Sequence, residues 1–141
     1  MTIPPILAPL FVEVLLTFAL MLGMMWFRTA ALRSGEARLE SIAMREPNWP
    51  RRPMQFANAF SNQFELPVLF YVLTVLVIIT HHADVLFVTL AWIFVVFRAL
   101  QALAHVTTNN VQFRGAFYGI GAIVLLIMWI VFIVRIMLGL P

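Results

Sequence analysis

The chain has 141 residues, of which 63% are hydrophobic and only 11% charged, and its mean hydropathy is +0.99. That balance excludes an ordinary soluble domain and a disordered chain, and leaves an integral membrane protein. The absence of cysteine excludes disulfides, thiolate nucleophiles and cysteine metal sites. The net charge of +3 comes from nine arginines with no lysine, an all-arginine set that fits a bacterial source. Six of the nine crowd one loop, so the basic excess reads as membrane topology and not as nucleic-acid binding.

The N-terminal stretch MTIPPILAPL lacks a basic n-region, and its apolar run continues to Phe27 without a following A-x-A site. It is expected to be a retained transmembrane helix and not a signal peptide. Four spans follow from hydropathy, at about residues 6–27, 57–80, 83–104 and 115–138, forming one all-α four-helix transmembrane domain over residues 1–141. Each has the roughly 20 residues that cross ~30 Å of hydrocarbon at 1.5 Å per residue. Each is expected to be helical, because backbone groups in lipid must be satisfied within their own segment.

Between the first two spans, residues 28–56 carry Arg28, Arg33, Arg38, Arg45, Arg51 and Arg52. The positive-inside rule places this loop and the third, residues 105–114, in the cytoplasm, with both termini outside. Within the loop, Leu32, Leu39, Ile42 and Ala43 share one face of an expected interfacial helix from Ala30 to Arg45. Pro47, Pro50 and Pro53 are expected to stop it, with Trp49 as an interface anchor.

The second span opens with Asn58, Ser61, Asn62 and Glu65, whose spacing of i, i+3, i+4 and i+7 places them on one helix face. Such a stripe must face a partner helix or a wet cavity. Two readings are open: hydrogen bonds between helices at ~0.6–2 kcal/mol each, or a ligand cradle. Pro67 removes a backbone donor and frees the Gln63 carbonyl, so a kink beside the stripe is expected.

After the turn at His81, His82 and Asp84, which lacks metal-ligand spacing, the third span carries Arg98, Gln101 and His105 on one face. Glu65 lies ~12 Å and Arg98 ~13 Å from the cytoplasmic ends of their spans. The matched depth predicts a buried Glu65–Arg98 pair that fixes helix register. Glu13 in the first span is a second candidate partner, across a neighbouring chain, or a neutral acid. The fourth span opens with Arg114 and Tyr118, one turn apart, interleaved with Gly115 and Gly119 in a G-x-x-x-G packing motif. Arg135 near its far end is expected to snorkel to the outer interface.

The string Asn62-Gln63-Phe64-Glu65-Leu66-Pro67, followed by Val68-Leu69-Phe70-Tyr71, resembles the helix-two signature of MAPEG proteins, the membrane-associated proteins of eicosanoid and glutathione metabolism. The spacing from Arg98 through Gln101 and His105 to Arg114 and Tyr118 resembles the family's helix-three-to-four region, and the whole looks closest to its bacterial members. The resemblance implies a homotrimer with glutathione bound between protomers near the cytoplasmic face. It implies conjugation of glutathione to lipophilic electrophiles or reduction of lipid peroxides, or a scaffold that binds lipid without catalysis. A small-solute channel or transporter is a third reading, ranked last because the polar groups gather at one depth.

In the glutathione reading, Arg114 favours the thiolate and Tyr118 donates to sulfur or lines the pocket. Asn58, Asn62, Glu65, Gln101 and His105 line the binding site, with Asn62 on the peptide, Glu65 on the ammonium and Arg98 as deep anchor; Arg28 supplies a further carboxylate contact. No metal is expected. The partners are membrane lipids and a lipophilic small molecule. Three positions depart from the family pattern: Ser61 replaces an arginine, His105 a tyrosine, and Gly115 the serine of the prostaglandin-synthase branch. The last turns the expectation away from eicosanoid synthesis.

Overall fold

Proline and glycine punctuate the helices of the computed structural model, which describes residues 1–43 and 48–141. Helix α1 runs Ile3–Ser34, with Pro4 and Pro5 in its first turn, and is closed by Gly35, whose φ of 81° suits a residue without Cβ. A single turn, α2, covers Leu39–Ile42. Helix α3, Arg51–Asn62, and α4, Leu66–Ile79, together make the second membrane crossing. Helix α5 is Val85–Val106, N-capped by Asp84, which accepts from the Phe87 amide at 2.9 Å. Helix α6 is Val111–Met137, N-capped by Asn110, which accepts from the Gln112 and Phe113 amides.

Four helical stretches are long and apolar enough to cross a membrane: α1, α3 with α4, α5, and α6. The burial pattern is that of a protein in lipid. Leu22 and Ile123 are 60% and 59% exposed, while Glu13 and Arg98 are almost wholly buried. Apolar side chains face outward because the surrounding solvent is apolar; charges turn inward to find partners.

Helix α5 is the centre of the bundle. It packs on α6, α1 and α3, while α1 also packs on both α3 and α4, and α4 on α6. The core divides into two apolar layers. The larger, toward the termini, holds Ile6, Phe70, Leu73, Phe87, Phe94, Leu125 and Met128. The smaller, toward the long loop, holds Leu20, Ala59 and Ala102 with Phe56 and Phe60 beside them. Between the two layers lie Glu13, Gln63, Arg98 and Gln101, all buried.

Several expectations are revised. The second span is not one kinked helix but two, interrupted at residues 63–65, where Glu65 adopts φ −98° and ψ −106°. Pro67 sits in the first turn of α4, where a missing amide costs nothing. Pro53 likewise falls in the first turn of α3, so helix resumes at Arg51 and not after Pro53. The interfacial helix over residues 30–45 does not form as one piece. Helix α1 extends through Ser34, Gly35 ends it, and Leu39 stands 72% exposed. Arg45 and Pro47 lie outside the described residues.

Candidate functional site

Helices α3 and α6 stand on either side of α5 without packing substantially on one another. An open groove of about 480 Å³ lies between them. Helix α3 and the break after it supply Asn58, Ser61, Asn62 and Glu65; α5 supplies Gln101 and His105; the start of α6 supplies Val111, Arg114, Gly115 and Tyr118. Three short polar patterns in the sequence thus converge on one opening. Helix α5 provides the floor because its polar face, Gln101 and His105, turns inward and is buried.

Arg98 lies beneath this floor, 1% exposed. Its Nη2 donates to the Asn62 carbonyl oxygen at 2.9 Å, and its Nη1 donates to Gln101 Oε1 at 2.5 Å. Its Nε is 3.9 Å from Glu13 Oε1. The guanidinium carbon lies 6.0 Å from the centre of the Tyr118 ring, on the groove side. The local logic is that of a helix end inside the membrane. The carbonyl of Asn62, last residue of α3, lacks a full helical partner, and a buried cation at a helix C-terminus satisfies both the oxygen and the dipole.

The expected Glu65–Arg98 pair is therefore not made. Among the described residues, Arg98 has its ion pair with Glu13 of its own chain. The helix break carries Glu65 away from the buried layer to an exposed position at the groove wall. Glu13 makes no hydrogen bond through either carboxyl oxygen, so its contact with Arg98 is one of charge.

In the groove itself, Arg114 Nη1 donates to Asn109 Oδ1 at 2.9 Å, which holds the side chain against the α5–α6 turn. Asn109 has φ 51°, a left-handed conformation that asparagine tolerates and the tight turn requires. Arg114 Nε and His105 Nδ1 are buried without a hydrogen-bond partner. Arg114 Nε is thus an unused donor and His105 Nδ1 an unused donor or acceptor according to its tautomer, and a polar ligand at the groove would satisfy such groups. Gly115 and Gly119 face open space, so the close packing expected of the G-x-x-x-G motif is not made among the described residues of the chain. Arg28 is not part of the groove: it stacks over Trp49 at 4.9 Å, and Arg52 lies over Phe27.

A second, almost wholly apolar cleft of about 410 Å³ runs between α4 and α6, lined by Leu66, Leu69, Ala122, Leu125, Leu126, Trp129 and Ile133. It begins where the groove ends. Leu66 follows Glu65, and Ala122 lies one turn beyond Tyr118 on the same face of α6. Two residues that matter to the geometry had no role assigned from sequence, Thr17 and Gln63. Thr17 falls one turn after Glu13, and the run Glu13, Thr17, Leu20 has the spacing of a single buried face, which was the available signal.

The fold and groove define an integral membrane four-helix protein with a polar crevice toward one end of the bundle. The chain belongs to the MAPEG family, whose model matches residues 6–134. This makes it a membrane protein of the family associated with eicosanoid and glutathione metabolism. No curated protein and no solved structure matches the chain.

Proposed function

We propose that the groove binds glutathione or a related thiol and presents it to a lipophilic electrophile or peroxide. What carries this reading is the convergence of Asn62, Glu65, His105, Arg114 and Tyr118 from three helices on one opening, with arginine and histidine nitrogens beside it that have no partner. The residues suit such a ligand chemically. A guanidinium grips a carboxylate or a thiolate, Glu65 complements an ammonium, and Asn62 offers both a donor and an acceptor to a peptide.

A thiol with a pKa of about 8.5 is only a few per cent ionised at pH 7. The Arg114 cation beside the sulfur raises that fraction, and Tyr118 donates a hydrogen bond to the same atom. In conjugation, the thiolate forms a C–S bond to the electrophilic carbon as the leaving group departs with the bonding pair. The apolar cleft along α4 and α6 supports a co-substrate that enters from the bilayer and meets the thiol near Tyr118. The protein would work as a homotrimer, with a neighbouring protomer covering the open side of the groove. It would lie in a bacterial cytoplasmic membrane, with residues 28–56 and 105–114 inside and both termini outside.

The test is glutathione binding to the detergent-purified full chain, with the thiolate absorbance difference compared between the parent and Arg114→Ala. The expected result is binding at or below millimolar glutathione and a thiolate signal lost in the variant. Loss of one charge-assisted contact predicts an affinity drop of at least about tenfold. No binding at millimolar glutathione would overturn the thiol reading. The apolar cleft would then favour the second one, a lipid-binding scaffold without catalysis. A thiolate signal unchanged by the substitution would remove Arg114 from its role.

A further inference from the structure

Helix α1 contributes nothing to the lining of the groove, yet it touches the helix break that shapes the groove in two separate ways. Glu13 holds its charge 3.9 Å from Arg98 Nε, and Arg98 in turn donates to the carbonyl of Asn62. One turn along the same face, the Thr17 hydroxyl lies 3.1 Å from both Gln63 Oε1 and the Glu13 carbonyl oxygen, and its one proton is shared between these two acceptors. The two ties land on adjacent residues, Asn62 and Gln63, at the point where α3 stops. Gln63 is 2% exposed and has no other side-chain anchor among the described residues. The two residues that follow, Phe64 and Glu65, are exposed and make no side-chain hydrogen bond or ion pair among the described residues.

Through the break the α-helical ladder gives way to a short run of tighter backbone bonds, the Gln63, Phe64 and Glu65 amides donating to the Phe60, Ser61 and Asn62 carbonyls at 3.0, 3.1 and 3.3 Å. Such a run holds the chain locally but is weaker than an α-helix, so ties from a neighbouring helix help set its direction. We infer that Glu13 and Thr17 are positioning residues: together they clamp the end of α3, and so fix where Asn62 and Glu65 stand in the groove. The clamp acts through Arg98 and Gln63, not on the ligand. Its consequence for thiol binding rests on the reading of the groove given above, whereas the geometry of the break does not.

Two variants separate the clamp from simple loss of folding. Thr17→Val removes the hydroxyl while keeping the shape and adding no charge. Glu13→Gln keeps the side-chain size but removes the charge facing Arg98. The chain has no cysteine, so Ser61→Cys, two residues before the break, carries a single nitroxide label. The clamp predicts a more mobile label in both variants and, in the unlabelled variants with Ser61 intact, a weakening of glutathione binding by about three- to tenfold. Thr17→Ser, which keeps the hydroxyl, is expected to restore both readouts.

A label spectrum in Thr17→Val and Glu13→Gln identical to that of the parent would overturn the inference. So would a mobile label with unchanged glutathione affinity, since the break would then not position the site. If the parent itself binds no glutathione, the thiol reading fails while the label spectra alone decide the clamp.

Discussion

The two ends of the bundle carry similar polar residues and use them in opposite ways. At the end near the termini, Asp84 caps α5 through one oxygen and pairs with Arg135 through the other at 2.7 Å. His82 beside it meets the Leu140 carbonyl at 3.0 Å and packs edge-on against Phe132. The space they enclose holds only about 20 Å³, room for a single water. At the other end, Arg114 and His105 keep nitrogens without partners beside an opening of about 480 Å³. Polar residues alone do not mark a site. His82 Nδ1 at the far end is also buried without a partner among the described residues, so what separates the two ends is the room beside such groups, about 20 Å³ at one and about 480 Å³ at the other. Arg135, expected to snorkel to the outer interface, pairs there with Asp84 of the α4–α5 turn.

The sharpest way to break this contrast is to remove the charge that underlies the groove. Arg98→Leu leaves Glu13 buried with no counter-charge and the Asn62 carbonyl with one donor fewer. A loss of ~3–5 kcal/mol is expected in detergent unfolding. The acidic partner can be identified by pairing this change with two others. With Glu13→Leu the two losses should fall well short of additive, because the second substitution removes the orphaned charge. With Glu65→Gln they should add to within ~0.5 kcal/mol. Strong coupling to Glu65 in place of Glu13 would contradict the buried arrangement described above.

A smaller effect is expected where α1 meets α3. A Cβ on Gly23 would collide with the Phe56 ring. That ring packs against the Phe27 ring, with centroids 5.1 Å apart. Gly23→Ala therefore overpacks this contact, with an expected cost of ~1–3 kcal/mol. Because α3 carries Asn58, Ser61 and Asn62, the same change should weaken ligand retention in the groove. The far end offers the control. Asp84→Ala loses an N-cap and a partly exposed ion pair, at an expected ~1–2 kcal/mol in unfolding, while ligand affinity in the groove stays unchanged. Altered affinity in Asp84→Ala would show that the two ends are coupled and not independent.

Much of this was legible in the sequence because membrane helices obey few rules strongly. Length and hydropathy place four crossings, and the i, i+3, i+4 spacing sorts Asn58, Ser61 and Asn62 onto one face without any knowledge of neighbours. The groove follows once those faces converge. The partner of Arg98 was not legible in the same way. Depth matching along two spans fixes height but not rotation, and Glu65 and Glu13 both stand at a plausible height. The break at residues 63–65 decides between them by turning Glu65 out of the buried layer. A regular helical wheel carried through Pro67 cannot anticipate that turn. The length of α1 was missed for a related reason: arginines at Arg28 and Arg33 mark the edge of the apolar run but do not end a helix, whereas Gly35 does.

Glu65→Gln is the smallest and most discriminating change. Within the protomer the Glu65 side chain is exposed and outside the buried layer. Its substitution should alter unfolding by no more than ~0.5 kcal/mol, as for surface positions free of special contacts. In the proposed thiol site, however, it is, among the described residues, the one acidic side chain on the groove wall able to meet an ammonium. Gln retains the size and a carbonyl acceptor but loses the charge. Glutathione should therefore bind more weakly, while a glutathione analogue lacking the amino group should bind parent and variant alike. The comparison with Arg98→Leu is then complete: one charge holds the bundle together, the other faces the ligand. An equal loss for both ligands would remove Glu65 from ammonium recognition. A stability loss close to that of Arg98→Leu would mean that Glu65 belongs to the buried layer after all.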